Sequence, residues 1–385
     1  MNKYQNLIIL GWSNYDERIH DLFDVSFLID VRIKVTFVDV SEITIKGYHI
    51  PGKFQPEGLA YEKILSESDL KSFIKMQDND NTLYLLYMTY CRFSYNCFRL
   101  LSKMKCKQIY CSNGVFPSIP LQQRFSVIFS KVFSQKFPGL LRSAYVKVLM
   151  RTKLIAPINY YLETCQFSAN TNECKIGNQT HIVKFNSTDY QRAKKDSSLP
   201  ISDRYLVFLD QNLPFHPDGK LEGIVYDSDD YFERMNCLFS KLEEKYSCEI
   251  IIAAHPTVSR KCRYNDFWGN RKVLFNETAP LVKHSMGVIA HYSTAIGYAV
   301  IWEKPILFVY TDDMKIKANQ SFLIEQKIGE LLNSPVVRLN DYIADDLILT
   351  VDKEAFGFYK YGYLTNEDSE KSMNGEILMD ILKSC

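Results

Sequence analysis

The chain has 385 residues, with 46 Lys and Arg against 45 Asp and Glu, and is 46% hydrophobic, 14% aromatic and 24% charged. These are globular proportions, which exclude disorder, a collagen-like repeat or a coiled coil as the main organisation. The length exceeds the roughly 250–300 residues at which a single core stops growing, so two domains are expected.

In chain order, the strand-like apolar runs of the first half are Leu7–Leu10, Ile33–Val38, Thr82–Tyr87, Gln108–Cys111 and His181–Phe185. Those of the second half are Tyr205–Leu209, Ile250–Ala253, Lys272–Phe275, Gly287–Ala290 and Pro305–Val309. Helical stretches such as Tyr231–Tyr246 and Pro280–His284 lie between them. Short, buried-looking strands alternating with helices predict an α/β protein with parallel sheets. The polar stretch from Asn186 to Arg204 reads as a linker. The expectation is therefore two Rossmann-like doubly wound domains, 1–190 and 200–385, facing a cleft at the carboxyl ends of their strands. No apolar run reaches the ~20 residues that span a bilayer, and Leu7-Ile8-Ile9-Leu10 is too short for a signal-peptide core. A cytoplasmic protein, soluble or peripheral, is expected.

Charge is uneven. Residues 1–80 hold 9 basic and 13 acidic side chains, residues 163–385 hold 25 and 32, and residues 81–162 hold 12 basic and none acidic. From Arg124 to Lys153 aromatics interleave with the basic residues, and Phe125, Ile128, Phe129, Val132 and Phe133 form an apolar stripe at helical spacing. Such a surface suits acidic lipid headgroups or an anionic acceptor. Two ordinary amphipathic helices with basic outer faces would give the same pattern. No nucleic-acid-binding motif accompanies it, so no nucleic-acid partner is expected. The ten Cys form no C-x-x-C, which argues against a structural zinc site.

The chemistry concentrates in the second half, at four strand ends. Asp210 and Gln211 follow the first strand; an acid there would serve as base or nucleophile, or cap a loop. His216 and Asp218, a little further on, read as loop-structuring residues. His255-Pro256 follows the second strand, where the imidazole would neutralise a departing phosphate. Thr278 reads as the N-cap of a helix with Pro280 near its first turn. His291-Tyr292-Ser293-Thr294 leads from a strand into a helix, and its two hydroxyls would cap an anion site. Neither G-x-x-x-x-G-K-[ST] nor G-x-G-x-x-G is present, which disfavours P-loop NTPases and dinucleotide oxidoreductases. Asp227-Ser228-Asp229-Asp230 reads as a helix start rather than a metal-binding turn. No metal and no cofactor are expected.

The ordered set Phe208-Leu209-Asp210-Gln211, Phe215-His216-Pro217-Asp218, Ala253-Ala254-His255-Pro256 and Ala290-His291-Tyr292-Ser293-Thr294-Ala295 resembles the carboxyl half of glycosyltransferases of the B fold (GT-B) from bacterial surface-polysaccharide pathways. It is similar, more distantly, to bacterial sialyltransferases and Kdo transferases. There the His-Pro and Ser-Thr motifs hold a CMP-sugar. A Ser-rich turn before Lys-Pro, here Lys304-Pro305, also occurs in teichoic-acid polymerases, which use CDP-polyols. The resemblance covers roughly residues 180–310, and the amino half matches by architecture alone. It implies a metal-independent transferase moving an ulosonic acid, such as Kdo or a sialic-acid-like sugar, from a CMP-linked donor to a surface glycan. Asp210 and His255 would be catalytic, and Gln211, Pro256, Thr278, His291, Ser293 and Thr294 would bind the donor. The partners implied are the nucleotide-sugar, an oligosaccharide or lipid-linked glycan acceptor, and the anionic inner face of the cytoplasmic membrane. Sialyltransferases of this type carry an acidic pair before Gly in the amino domain. Here the matching strand end reads Ser112-Asn113-Gly114, which moves the expected base to Asp210. A CDP-polyol donor, a UDP- or GDP-sugar, and a non-catalytic scaffold subunit remain as alternatives.

Overall fold

The structure is a computed structural model that describes residues 3–44, 54–91, 93–112, 115–118, 145, 148–149, 152, 154–168, 174–195, 204–216, 219, 223–256, 258, 264–339 and 349–384. The basic, aromatic segment 119–144 lies outside them, and so do Asn113, Gly114, Pro217, Asp218 and residues 196–203. The described residues include no helix long and apolar enough to cross a membrane. Contacts divide the chain into two units. The first comprises 1–115, 125–192 and 361–385, and the second 116–124 and 193–360.

The first unit is built on seven parallel strands: β1 (Asn6–Gly11), β2 (Lys34–Asp39), β3 (Ala60–Lys63), β4 (Thr82–Tyr87), β5 (Lys107–Cys111), β6 (Tyr160–Glu163) and β7 (His181–Lys184). Their order is β3-β2-β1-β4-β5-β6-β7. The register pairs Leu7 with Val35 on one side and Leu83 on the other. Alternate residues therefore feed two cores. Leu7, Ile9, Val35, Phe37, Leu83, Leu85 and Ile109 fill one face, while Ile8, Leu10, Val38, Tyr84, Leu86 and Tyr110 fill the other. Helices cover both faces, which is why these strands are apolar throughout rather than alternating.

The second unit has six parallel strands: β8 (Tyr205–Leu209), β9 (Glu249–Ala254), β10 (Val273–Phe275), β11 (Gly287–Ala290), β12 (Ile306–Tyr310) and β13 (Val336–Arg338). The order β10-β9-β8-β11-β12-β13 reverses direction between β8 and β11. That reversal is the switch point at which doubly wound sheets open a ligand crevice. The helix Ser228–Tyr246 starts where expected: the Asp227 side chain accepts from the Asp229 and Asp230 N–H groups, and Ser247 ends the helix in the left-handed region. Its stripe Tyr231, Phe232, Met235, Leu238, Phe239 and Leu242 is buried at helical spacing against β8 and β9 residues such as Phe208, Ile250 and Ile252.

Two expectations about organisation change. The linker reading of Asn186–Arg204 fails at its start, because Thr188–Lys194 is a helix with Tyr190 and Gln191 buried. The second domain does not run to the carboxyl end, because the helix Asn374–Lys383 packs into the first unit. There the buried Asn374 side chain donates to the carbonyls of Leu22 (2.8 Å) and Asn186 (3.0 Å) and accepts from the Asn186 N–H. Leu378, Ile381 and Leu382 complete that unit's core. Leu339, by contrast, belongs to the second unit's core.

Candidate functional site

The candidate site residues stand on the carboxyl edge of the second sheet, on loops after β8, β9, β10 and β11. The carboxyl ends of β8, β9 and β11 are buried, while β10 is half-buried, so the residues that follow the first three start from fixed backbone.

Asp210 is the hub. It is 5% exposed. One carboxylate oxygen accepts the Asn212 N–H at 2.7 Å, and the other accepts the Tyr264 hydroxyl at 2.7 Å and the His255 N–H at 3.2 Å. Burial raises its pKa, opposed by those hydrogen bonds and by the Gln211 N–H. The carboxylate thus ties together the loop after β8, the loop after β9 and the 3-10 turn Tyr264–Trp268. Asp39, which sequence reasoning passed over, repeats the device in the first unit. It ends β2, is fully buried, and accepts the Ser41 N–H and the Tyr61 hydroxyl, each at 2.8 Å.

His255 is half-buried, and the ring of His216 meets it edge to face with centroids 5.1 Å apart. Gln211 is half-buried and Pro256 is exposed beside them. His216 follows the 3-10 turn Leu213–Phe215, whose Phe215 packs on Phe232 and Phe267. A sequence reading could have found this pair only by placing β8 beside β9.

Thr278 does not cap its helix. The helix begins at Thr278 with Glu277 in the cap position and no side-chain cap, and Asn276 before it lies in the left-handed region, so the turn is made one residue earlier. Thr278 is half-buried at this helix start.

The β11 loop divides into an inner and an outer part. His291 is fully buried; its Nε2 pairs with the Tyr231 hydroxyl at 2.9 Å and its Nδ1 with the Val309 carbonyl. A carbonyl can only accept, so Nδ1 carries the proton and Nε2 accepts from Tyr231. Burial lowers the His291 pKa to about 4. Ser293 is half-buried and its hydroxyl accepts the Ala295 N–H at 3.2 Å, while Thr294 is exposed. The helix that follows, Ile296–Ile301, has Ala295 at its cap rather than either hydroxyl. Phe116, counted with the second unit, places its ring 4.8 Å from that of Tyr292. Glu325, on the helix Asn319–Leu331, is fully buried with the Tyr292 backbone N–H nearby, and among the described residues neither carboxyl oxygen has a well-formed hydrogen bond. Burial raises its pKa well above the ordinary glutamate range. No sequence signal marked Glu325, because it sits in an otherwise regular apolar stripe.

At the carboxyl edge of the first unit, Ser112 is buried and its hydroxyl pairs with that of Thr164 at 2.7 Å. Among the described residues no group of three or more His, Cys, Asp or Glu could hold a metal ion.

No family model and no curated protein matches the sequence. Solved structures do. The wall teichoic acid polymerase TagF superposes with a TM-score of 0.54 at 12% identity, over 98% of this chain and 88% of that one. A TagF variant gives 0.53 at 10% identity with the same coverage. The chain has the two-domain B fold of glycosyltransferases. The UDP-GlcNAc 2-epimerase from Methanocaldococcus jannaschii is a weaker match, with a TM-score of 0.48 at 12% identity over 98% of this chain and 100% of that one.

Proposed function

We propose that this protein is a glycosyltransferase that moves a sugar from a nucleotide-activated donor to a bacterial surface glycan. The donor is a CMP-linked ulosonic acid, such as Kdo or a sialic-acid-like sugar. The observation that carries the reading is the convergence of His255, His216 and the Ser293–Thr294 turn on strand ends around the switch point of a B-fold sheet. In that crevice His255 neutralises the donor phosphate as the nucleotide departs. Gln211, Pro256 and Thr278 border the donor, and Ser293 and Thr294 present hydroxyls on the loop across from it.

Asp210 and His291 take supporting parts in this reading. A carboxylate buried on three donors acts by fixing where the His255 backbone lies, and a neutral, doubly bonded His291 fixes the root of the Ser293 turn. The same device at Asp39 and Tyr61 favours the positioning role. The acceptor is an oligosaccharide or lipid-linked glycan, met at the inner face of the cytoplasmic membrane, and no metal takes part in the transfer.

A second reading is favoured by the TagF superposition: transfer of a polyol phosphate from a CDP-linked donor. One of the TagF structures comes from a crystal soaked with CDPG.

A calorimetric panel of CMP, CDP, UDP, GDP and ADP, run on the wild type and on His255→Ala and Ser293→Ala, tests both. Selective CMP binding lost in both variants supports the first reading, and CDP preference with a phosphodiester product by phosphorus NMR supports the second. UDP or GDP preference discards the cytidine donor. No binding by any nucleotide overturns the enzyme reading in favour of a scaffold subunit.

A further inference from the structure

We propose that Glu325 is a positioning residue of the donor site, a buried carboxyl group that completes a hydrogen bond with the Tyr292 N–H and so sets the Ser293–Thr294 turn when the donor's phosphate arrives. The inference rests on the donor reading above and gives a task to a group that the fold alone would do better without.

Its place is fixed from two sides. The helix Asn319–Leu331 lies on the second sheet through Phe322, whose ring is 4.8 Å from that of Tyr310. One end further on, a Cβ at Gly329 would collide with Val336, so the helix approaches β13 closely there. Glu325 stands about one turn from each contact, inside the buried stripe Phe322, Ile324, Glu325, Ile328 and Gly329. On the other side, β11 runs beside β12 with Ala290 level with Phe308, so the chain leaving β11 passes the Val309–Tyr310 end of β12. His291 holds that passage through the Tyr231 hydroxyl and the Val309 carbonyl. Among the described residues, the next N–H, that of Tyr292, is the polar group acting on the Glu325 carboxyl. Ser293 follows it directly.

A buried carboxyl without well-formed hydrogen bonds is costly, and an apolar side chain would fill the stripe at no such cost. Burial raises its pKa, and the protonated form still offers the Tyr292 N–H a carbonyl oxygen. Contacts of this kind are often long in a free enzyme and tighten when ligand binds. The charged groups of the neighbouring elements are engaged elsewhere. Asp312 pairs with Arg338, Asp313 with Lys317 and Lys327 with Glu330, while the Lys315 ammonium lies 5.9 Å from the centre of the Phe322 ring. His291 is neutral, with both nitrogens bonded.

An anion at the Ser293–Thr294 turn further disfavours ionisation of a carboxyl behind it, because like charges repel. Donor binding and Glu325 ionisation therefore oppose each other. The protonated form, which favours binding, is present below the folded pKa and is lost as pH rises through it.

The test is calorimetric titration of CMP and CDP into the full chain at pH 5 and pH 8, comparing wild type with Glu325→Gln and Glu325→Met, with urea midpoints for each. Gln keeps an acceptor oxygen and loses the titration, whereas Met keeps the volume and loses the acceptor. Glu325→Met is expected to bind the preferred nucleotide about fivefold more weakly at both pH values, the loss of one hydrogen bond, while unfolding at higher urea than wild type at pH 8. Glu325→Gln is expected to match wild type at pH 5 and to bind more tightly than wild type at pH 8; the nucleotide's own ionisation is common to both proteins. A glutamate with a purely structural part moves the urea midpoints alone. Wild-type affinity in both variants at both pH values would overturn the inference and leave the donor reading standing. Absence of any nucleotide binding by the wild type would overturn the donor reading and the inference with it.

Discussion

Tyr264 donates its hydroxyl to Asp210 at 2.7 Å from within a 3-10 turn 54 residues further along the chain. Tyr61 does the same for Asp39 at 2.8 Å, 22 residues along. In both units an acid at a strand's carboxyl end, Asp39 as the last residue of β2 and Asp210 as the first after β8, spends one oxygen on the N–H two residues ahead and the other on a tyrosine. Burial and the neighbouring carboxylate push the Tyr264 hydroxyl far above its ordinary value, so it remains a donor at every working pH.

Removing that donor leaves one carboxylate oxygen with only the longer bond from His255. Tyr264→Phe should cost about 1–3 kcal/mol of stability, the range for a hydrogen bond to a charged buried group. Asp210→Asn should cost at least as much, because its amide nitrogen must confront an N–H donor. Urea unfolding gives the stabilities. Nucleotide titration of Tyr264→Phe should show weaker binding through the displaced His255 loop, and unchanged affinity would count against the hub role.

His291 should make the fold acid-sensitive in a defined window. Its pKa falls from 6.5 to about 4 on burial, so the folded state holds fewer protons than the unfolded state between those values. The stability it contributes is present above about 6.5 and is lost as pH falls towards 4, by ~3 kcal/mol if the shift is fully expressed. Histidine Cε1–H resonances followed by NMR should show one imidazole that does not titrate above pH 5. Denaturation of His291→Gln should fall less steeply than wild type across the same window.

Glu325 pulls the other way. Its folded pKa is raised, so its favourable contribution is present below the ordinary glutamate range and is lost as pH rises through the folded value. Glu325→Met, which nearly conserves volume, should therefore stabilise the protein at pH 8 by about 1–3 kcal/mol, the cost of an unpartnered buried polar group. Urea midpoints at pH 5 and pH 8 should show a gap between variant and wild type that widens with pH. A constant gap would mean that the carboxyl carries the same charge in the folded and unfolded states, so that its pKa is not raised by folding.

Asn374 is fully buried and makes three side-chain hydrogen bonds to the backbone of Leu22 and Asn186. Asn374→Ala leaves those backbone groups without partners and should cost about 2–4 kcal/mol, more than one lost hydrogen bond. The loss should appear in unfolding of the first unit, read by hydrogen exchange at β1 and β4, and leave exchange at β8 and β11 unchanged.

Most of the strands that sequence reasoning placed share one property, the edge strands His181–Lys184 and Val273–Phe275 being exceptions. Leu83-Tyr84-Leu85-Leu86 and Tyr205-Leu206-Val207-Phe208-Leu209 are buried on both faces, so every residue is apolar and the run is visible without knowing its neighbours. The strands it passed over are at or near sheet edges. Ala60–Lys63 carries Glu62 and Lys63 to solvent, and Val336–Arg338 is three half-buried residues. Tyr160–Glu163 ends on a buried Glu163 that pairs with Lys184, a charge that masks the strand until its partner strand is known. The site was legible as a set of strand ends, since Asp210, His255 and His291 all follow buried strands. Which way each side chain turns was not legible. Asp210 and His291 turn inward because a tyrosine hydroxyl from distant sequence meets each of them, and that pairing exists only in three dimensions.

The return of Asn374–Lys383 to the first unit bears on how the chain is made. A nascent chain released from the ribosome as far as residue 192 lacks the helix that supplies Leu378, Ile381 and Leu382 to its core and Tyr4 with a backbone partner at Leu382. At 5–20 residues per second the missing helix arrives on the order of ten to forty seconds later, after the whole second unit has been synthesised. During that interval the amino-terminal sheet has an open apolar seat along Val25 and Leu28, and the second unit, contiguous from 193 to 360 apart from 116–124, is the one able to condense without waiting for the terminus.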